Sequence, residues 1–342
     1  MIGEEGKMGE DGMRAVVISE PGGPEVLELR EVARPEPGAR EIRVRIEAAG
    51  INRADLIQRQ GHYPAPPGWP REIPGLEYAG TVDAIGSGVR RWSEGDRVMG
   101  LVGGGGYAEF VVVDEDSPVR WPSGLSSEEV GAIPEAFMTA YDAVFRQAGL
   151  GIGESLLIHA VGSGVGTAAL QLARTAGAWT VGTSRTPEKV EGARKMGLDR
   201  GVVSEGDGEW VEAVRKALPP RGADVILDLV GGAYLEGNVA VLAEKGRQMI
   251  VGVPGGSAGT LPLRALMGTR GMIRGTVLRA RPTFEKVALA REFEDRVVPL
   301  FERGAIRPVV DGVFGPEEAG AAHRYMQENR TFGKLLLKWA SP

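Results

Sequence analysis

The chain has 342 residues, 42% of them hydrophobic and 25% charged, with a formal net charge of −6 and no cysteine. That length and balance suffice for two domains with proper cores and exclude a mainly disordered chain. An acidic balance without a basic stripe argues against a nucleic-acid partner, and the lack of cysteine excludes disulfides and thiolate metal sites. No apolar run reaches the roughly 18 residues of a membrane span and no secretion pattern is read, so the expected compartment is the cytoplasm.

Residues 1–12 are polar, glycine-rich and without periodicity, and are expected to be a disordered extension. Met13–Ile18 begins a strand. Up to about Glu135 the pattern is mostly β: the runs Glu41–Glu47, Tyr78–Ile85, Asp96–Val102 and Ala108–Val113 are separated by turns such as Pro21–Pro24 and Ser87-Gly88. They predict a separate antiparallel domain. From Ser155 the period changes. An apolar strand, Ser155–Ile158, breaks into the turn Gly162-Ser163-Gly164-Val165-Gly166, which opens into an amphipathic helix running to Ala173. The strand Trp179–Thr183 follows, then a helix signalled by Thr186-Pro187-Glu188, the strand Val202-Val203, a helix near Trp210–Leu218, the buried-type strand Val225–Val230, another helix and the strand Met249–Val253. This alternation predicts a parallel doubly wound sheet. Met272–Leu278 reads as one more strand and Thr283–Arg303 as one long amphipathic helix. The tail returns to short strands, Val309–Val313 and Leu335–Lys338, around a helix near Pro316–Gln327. Such a tail is expected to pack back on the first domain, leaving a cofactor cleft between the domains.

The glycine turn is where a dinucleotide pyrophosphate sits. Small residues admit the phosphates, and the unpaired N–H groups and positive dipole end of the helix favour the anion. The next strand tip reports which dinucleotide is taken. An NAD site carries an acid about 20 residues past the glycines for the ribose 2′-hydroxyl, whereas an NADP site offers cations and hydroxyls to the 2′-phosphate. Here the tip reads Gly182-Thr183-Ser184-Arg185, with Lys189 one helical turn on and no acid. Ser184, Arg185 and Lys189 therefore predict NADP(H). Glu188 is the contrary feature, and its place in the first turn after Pro187 is accounted for by the helix dipole.

In this order the parts resemble the medium-chain dehydrogenase/reductase superfamily, and within it the zinc-free NADPH:quinone oxidoreductases of the zeta-crystallin and p53-inducible quinone reductase type. The resemblance runs from Met13 to Trp339. It rests on Ala49–Asp55, Arg59–Pro64, Ile73–Glu77, Gly95–Val98, Gly104–Glu109, Ile133–Ala140 and the His159–Gly166 loop. It implies an α/β protein with a GroES-like β-barrel catalytic domain (residues 13–136 and 281–342) and a Rossmann domain binding NADP(H) (residues 137–280). It further implies a homodimer joined edge to edge through the strand near Met272–Leu278. Asn52 and Tyr63 are implied to line the cleft beside the nicotinamide and to donate to the substrate oxygen. Thr139 is implied at the nicotinamide ribose or phosphates, Gly252 and Val253 on the nicotinamide side, and Leu278 and Arg279 approaching from the neighbouring strand. The zeta-crystallin branch has an aromatic at Ile57 and a tyrosine near Ser204, both absent here. Many relatives have glycine at Ser163.

The alcohol-dehydrogenase branch places cysteine where Asn52 stands and histidine where Leu76 stands. Catalytic zinc needs three protein ligands and an open position. With no cysteine and only His62, His159 and His323, no metal is expected, and His159 and His323 read as structural. The chemistry left is hydride transfer to an acceptor that is already electrophilic. A quinone is the leading expectation. A 2-alkenal or enone is the alternative acceptor, and a protein that binds NADPH without turnover is the alternative from another class.

Overall fold

The structure is a computed structural model that describes residues 12–204 and 209–339. Most of the expected N-terminal extension lies outside the described residues, but Gly12 does not belong to it: this glycine opens the strand Gly12–Ile18 and is paired opposite Ala33. That strand and Leu27–Ala33 form a two-stranded ribbon. A seven-stranded sheet follows. Its order is 310–314, 334–338, 41–51, 77–85, 97–101 and 119–120, with Phe110–Asp114 pairing the long strand 41–51 off this path. The two C-terminal strands thus close onto the first sheet, Leu335–Lys338 running antiparallel to Ala48–Ile51.

Two short helices interrupt the region read as β. Arg53–Arg59 starts at Asn52, whose partner Asp55 completes a capping box, and Ser127–Gly131 starts the same way at Ser126 with Glu129. Both signals stand in the sequence; the helices are only two turns long or less, too short to show periodicity. The expected single helix Thr283–Arg303 is in fact two, Thr283–Arg296 and Val298–Glu302. Pro299 explains the break, since it lacks the N–H that a continuous helix would bond.

The second sheet has six strands, all parallel to their neighbours, ordered 200–203, 179–184, 155–158, 223–228, 242–250 and 272–275. The order reverses beside Ser155–Ile158, the strand that feeds the glycine turn. This is the doubly wound arrangement, whose crevice lies beyond the strand ends at that reversal. The fifth strand stops at Ile250, so Gly252 and Val253 lie just past it. One apolar core unites the halves: Ala79 and Met99 of the first sheet pack in the same cluster as Leu156, Ile158, Phe137, Leu170 and Phe293. The helix Pro134–Tyr141 runs through this junction and carries Phe137 and Met138 into it.

Candidate active site

The glycine turn is built for close approach. Ala160, at the strand exit, takes a φ of 52°, a conformation uncommon for a non-glycine residue, and the chain then folds back so that a Cβ on Gly166 would lie 2.5 Å from the Ala160 carbonyl oxygen. Ser163 caps the twelve-residue helix Gly164–Thr175, its hydroxyl accepting from the Gly166 N–H at 3.1 Å. The Ser163–Gly333 bridge ties the start of this helix to the C-terminal segment, and Val165 stands in the first helical turn, where an N–H has no partner within the helix. The C-terminal segment borders this turn, with the Gly333 N–H donating to the Gly162 carbonyl at 2.9 Å. The glycines, the cap and the first-turn N–H groups fit a dinucleotide pyrophosphate.

Three cations meet at the tip of the second strand. Arg185 is exposed, Lys189 is half-buried and its ammonium donates to the Asn329 carbonyl, and Arg53 reaches across from the first domain to donate to Asn329 Oδ1 at 2.9 Å. Among the described residues no carboxylate lies within ion-pair distance of any of the three. Desolvation and then the charge of Arg185 hold Arg53 below the usual arginine range; desolvation, Arg185 and Arg53 do the same for Lys189. Ser184 is buried beside them, its hydroxyl free of partners among the described residues.

At the other end of the cleft the charges are paired and buried. Lys334 donates to Glu77 Oε1 at 2.6 Å, to Asn52 Oδ1 at 2.6 Å and to the Ile51 carbonyl at 3.1 Å. The Asn52 amide donates to Glu77 Oε1 at 2.8 Å and to the Gly50 carbonyl at 3.3 Å, so both its hydrogens are committed inside the fold. Asp55 accepts from the Asn52 N–H, the Gly75 N–H and the Tyr107 hydroxyl. Burial pushes its carboxyl up to about 6, against the pull of the Asn52 N–H. Tyr107 in turn meets His323, whose other ring nitrogen accepts from Arg59. Burial and then the Arg59 charge lower His323 to about 3, so its ring is neutral. His159 is a second buried ring, between Thr183 at 2.8 Å and Asn238 at 2.6 Å, with burial holding it below the usual histidine range. Among the described residues no group of three His, Cys, Asp or Glu could hold a metal ion.

Tyr63 is half-buried, and its hydroxyl has no hydrogen-bond partner among the described residues. Desolvation keeps that hydroxyl protonated, raising it above the usual tyrosine range. Arg279 fixes the residue: its guanidinium lies 4.9 Å from the ring centroid and donates to the Tyr63 carbonyl at 3.0 Å, the Gly103 carbonyl at 2.8 Å and Gln58 Oε1 at 2.5 Å. Arg279 is thus held against Tyr63, Gln58 and Gly103, and Leu278 is buried in the main core. Thr139 is buried on the helix Pro134–Tyr141, and Val253 is exposed past its strand.

Four residues at these two ends escape a local reading. Arg53 joins Arg185 only in the fold, as Glu77, Glu135 and Lys334 join one another, and the one sequence signal is that each lies in a stretch that carries the family resemblance or in the last strand.

Two family models match the chain: the alcohol dehydrogenase GroES-like domain over residues 38–123 and the zinc-binding dehydrogenase domain over residues 164–292. The chain is 34% identical to a quinone oxidoreductase of Pseudomonas aeruginosa, covering 92% of this chain and 96% of that protein. It is 30% identical to the Homo sapiens quinone oxidoreductase, covering 96% and 98%. Among solved structures, an NAD-dependent alcohol dehydrogenase aligns with a TM-score of 0.84 at 34% identity, over 96% of this chain and all of that one (100%).

Proposed function

Because the chain belongs to the medium-chain dehydrogenase/reductase family of oxidoreductases, beside its zinc-free quinone oxidoreductases, we propose that it reduces a quinone with NADPH and without a metal. The observation that carries the cofactor choice is the group Arg53, Arg185 and Lys189, which repel one another and, among the described residues, have no carboxylate within ion-pair distance, Asp311 attracting Lys189 only from further off. Such a group is relieved by an added phosphate dianion and gains nothing from a ribose hydroxyl. The NAD-dependent solved relative shows that the fold alone leaves this choice open.

In this reading Gly162, Ser163, Gly164, Val165 and Gly166 take the pyrophosphate, Ser184, Arg185 and Lys189 the 2′-phosphate, and Thr139, Gly252 and Val253 border the nicotinamide. The bound dinucleotide supplies the hydride. Tyr63 turns its free hydroxyl to the acceptor oxygen, and Asn52 orders the cleft wall through Glu77 and Lys334. A cavity of about 920 Å³ opens on the far side of Arg279 from Tyr63, walled by apolar residues such as Pro66, Trp69, Leu101 and Met138 and by charged ones such as Glu72, Arg281 and Lys286. The exposed Leu263 and Met267, next to the sheet-edge strand Met272–Gly275, support a homodimer through that edge. Among the described residues no helix is long and apolar enough to cross a membrane, in keeping with work in the cytoplasm.

Steady-state NADPH oxidation with 1,2- and 1,4-quinones against a panel of 2-alkenals, repeated with NADH, tests this function. Turnover of quinones with NADPH over NADH is expected. Turnover of alkenals alone makes the protein an enone reductase, and cofactor binding without oxidation makes it a non-catalytic binder.

A further inference from the structure

We propose that Glu135 is the proton donor of the reaction, its carboxyl group passing a proton to the oxyanion that hydride addition leaves on the acceptor. This rests on the reading of the chain as a reductase of a conjugated carbonyl acceptor. Three acids converge at the reacting end of the cleft, and two of them are committed. Glu77 binds Lys334 and Asn52 through Oε1 and the Glu135 N–H through Oε2, at 2.8 Å. Asp55 holds three donors. Only Glu135 has a carboxyl with no hydrogen-bond or ion-pair partner among the described residues, while its own backbone is fixed to Glu77.

The groups facing Glu135 explain the state of its proton. Glu77 and Asp55 repel its anion. Lys334, Arg279 and Lys286 attract it, but each is engaged elsewhere: Lys334 on Glu77, Arg279 on Gln58 and two carbonyls, Lys286 on the Arg279 carbonyl at 2.7 Å. Burial, then Glu77, push Glu135 up to about 8, so the carboxyl is protonated at neutral pH. Its charge also bears on Tyr63 across the cleft, and Thr139 lies one helical turn further along the same helix face. Burial makes the Tyr63 hydroxyl a weaker acid than usual, so it steadies the oxygen by a hydrogen bond while Glu135 transfers. The balance is complete. The reduced dinucleotide loses the electron pair, the acceptor gains it with the hydride, the Glu135 O–H bond breaks as the acceptor O–H bond forms, and water reprotonates the carboxylate.

The test is single-turnover reduction of a 1,4-quinone from pH 6 to pH 10, a range that brackets the Glu135 value of about 8, in the wild type, Glu135→Gln and Glu135→Asp. General acids contribute about 10²–10⁴-fold, and because a quinone oxyanion is a weak base we expect about tenfold here. The wild-type rate should fall as pH rises through about 8, when Glu135 ionises. E135Q should be slower and lack that fall, E135D should regain it, and NADPH affinity by fluorescence titration should hold in all three. Infrared difference spectra should show a protonated carboxyl at pH 7 in the wild type that fades on crossing about pH 8 and is missing in E135Q. E135Q with the wild-type rate and alkaline fall, or a wild type without the protonated band, overturns the proposal. If E135Q does not fold, E135D decides the matter, since its band should move in frequency while the Asp55 band, which fades near pH 6, stays in place. A wild type that binds NADPH and reduces neither quinones nor enones overturns the parent reading, and this one with it.

Discussion

Arg53, Arg185 and Lys189 face one another at the tip of the strand Trp179–Ser184 with no carboxylate among the described residues within ion-pair distance, whereas Glu77 and Lys334, both buried, pair at 2.6 Å at the other end of the cleft. Water explains the contrast. Arg185 is exposed, so water screens its charge, while the partly desolvated Arg53 and Lys189 keep theirs through the neutral acceptors of Asn329. Inside the fold a charge must be matched by its opposite and by hydrogen bonds, or it costs several kcal/mol. One end therefore has charge unmatched by any acid in contact with it, and the other uses almost all of its charge on itself. Glu135 is the exception at the buried end, because no cation is left for it.

The largest expected effect breaks the buried pair. Lys334→Met removes the cation and leaves Glu77 uncompensated, which should cost about 3–5 kcal/mol of stability in denaturant titration. A loss below about 1 kcal/mol would mean that water reaches Glu77 and that the two ends do not differ in this way. At the exposed end, Arg185→Ala should cost about 1.5–3 kcal/mol in NADPH binding, the scale of a charge-assisted hydrogen bond, and leave NADH nearly unchanged. Equal loss for both dinucleotides by calorimetric titration would remove Arg185 from the 2′-phosphate. Between the two, Tyr63→Phe deletes one donor and keeps the ring that packs on Arg279. Its kcat/KM should fall about tenfold with NADPH affinity unchanged, less than a full oxyanion-hole loss because a quinone needs little help. An unchanged kcat/KM would make Tyr63 a packing residue. The smallest effect is none: dialysis against a chelator should leave activity and Tm as they were, and a loss of either on removal of stoichiometric zinc would reverse the expectation of a metal-free site.

The sequence by itself determined the doubly wound sheet, the glycine turn and the acid-free strand tip, because each is written in neighbouring residues: an apolar strand, a turn of small residues, a helix, then Ser184 and Arg185. Even the break at Pro299 and the caps at Asn52 and Ser126 were legible there, through the missing N–H of proline and the spacing of the capping pairs. Only the tertiary structure decided what Asn52 and Arg279 do. Asn52 looks free to meet a substrate until Lys334, 282 residues away, and Glu77 occupy its amide; the sequence around Arg279 likewise gives no sign that Gln58 and the Tyr63 carbonyl, more than 200 residues back, accept from its guanidinium. Periodicity reports which face of an element is buried, but the partner of a buried charge is set by which distant segments the sheet brings together, and no local pattern carries that information.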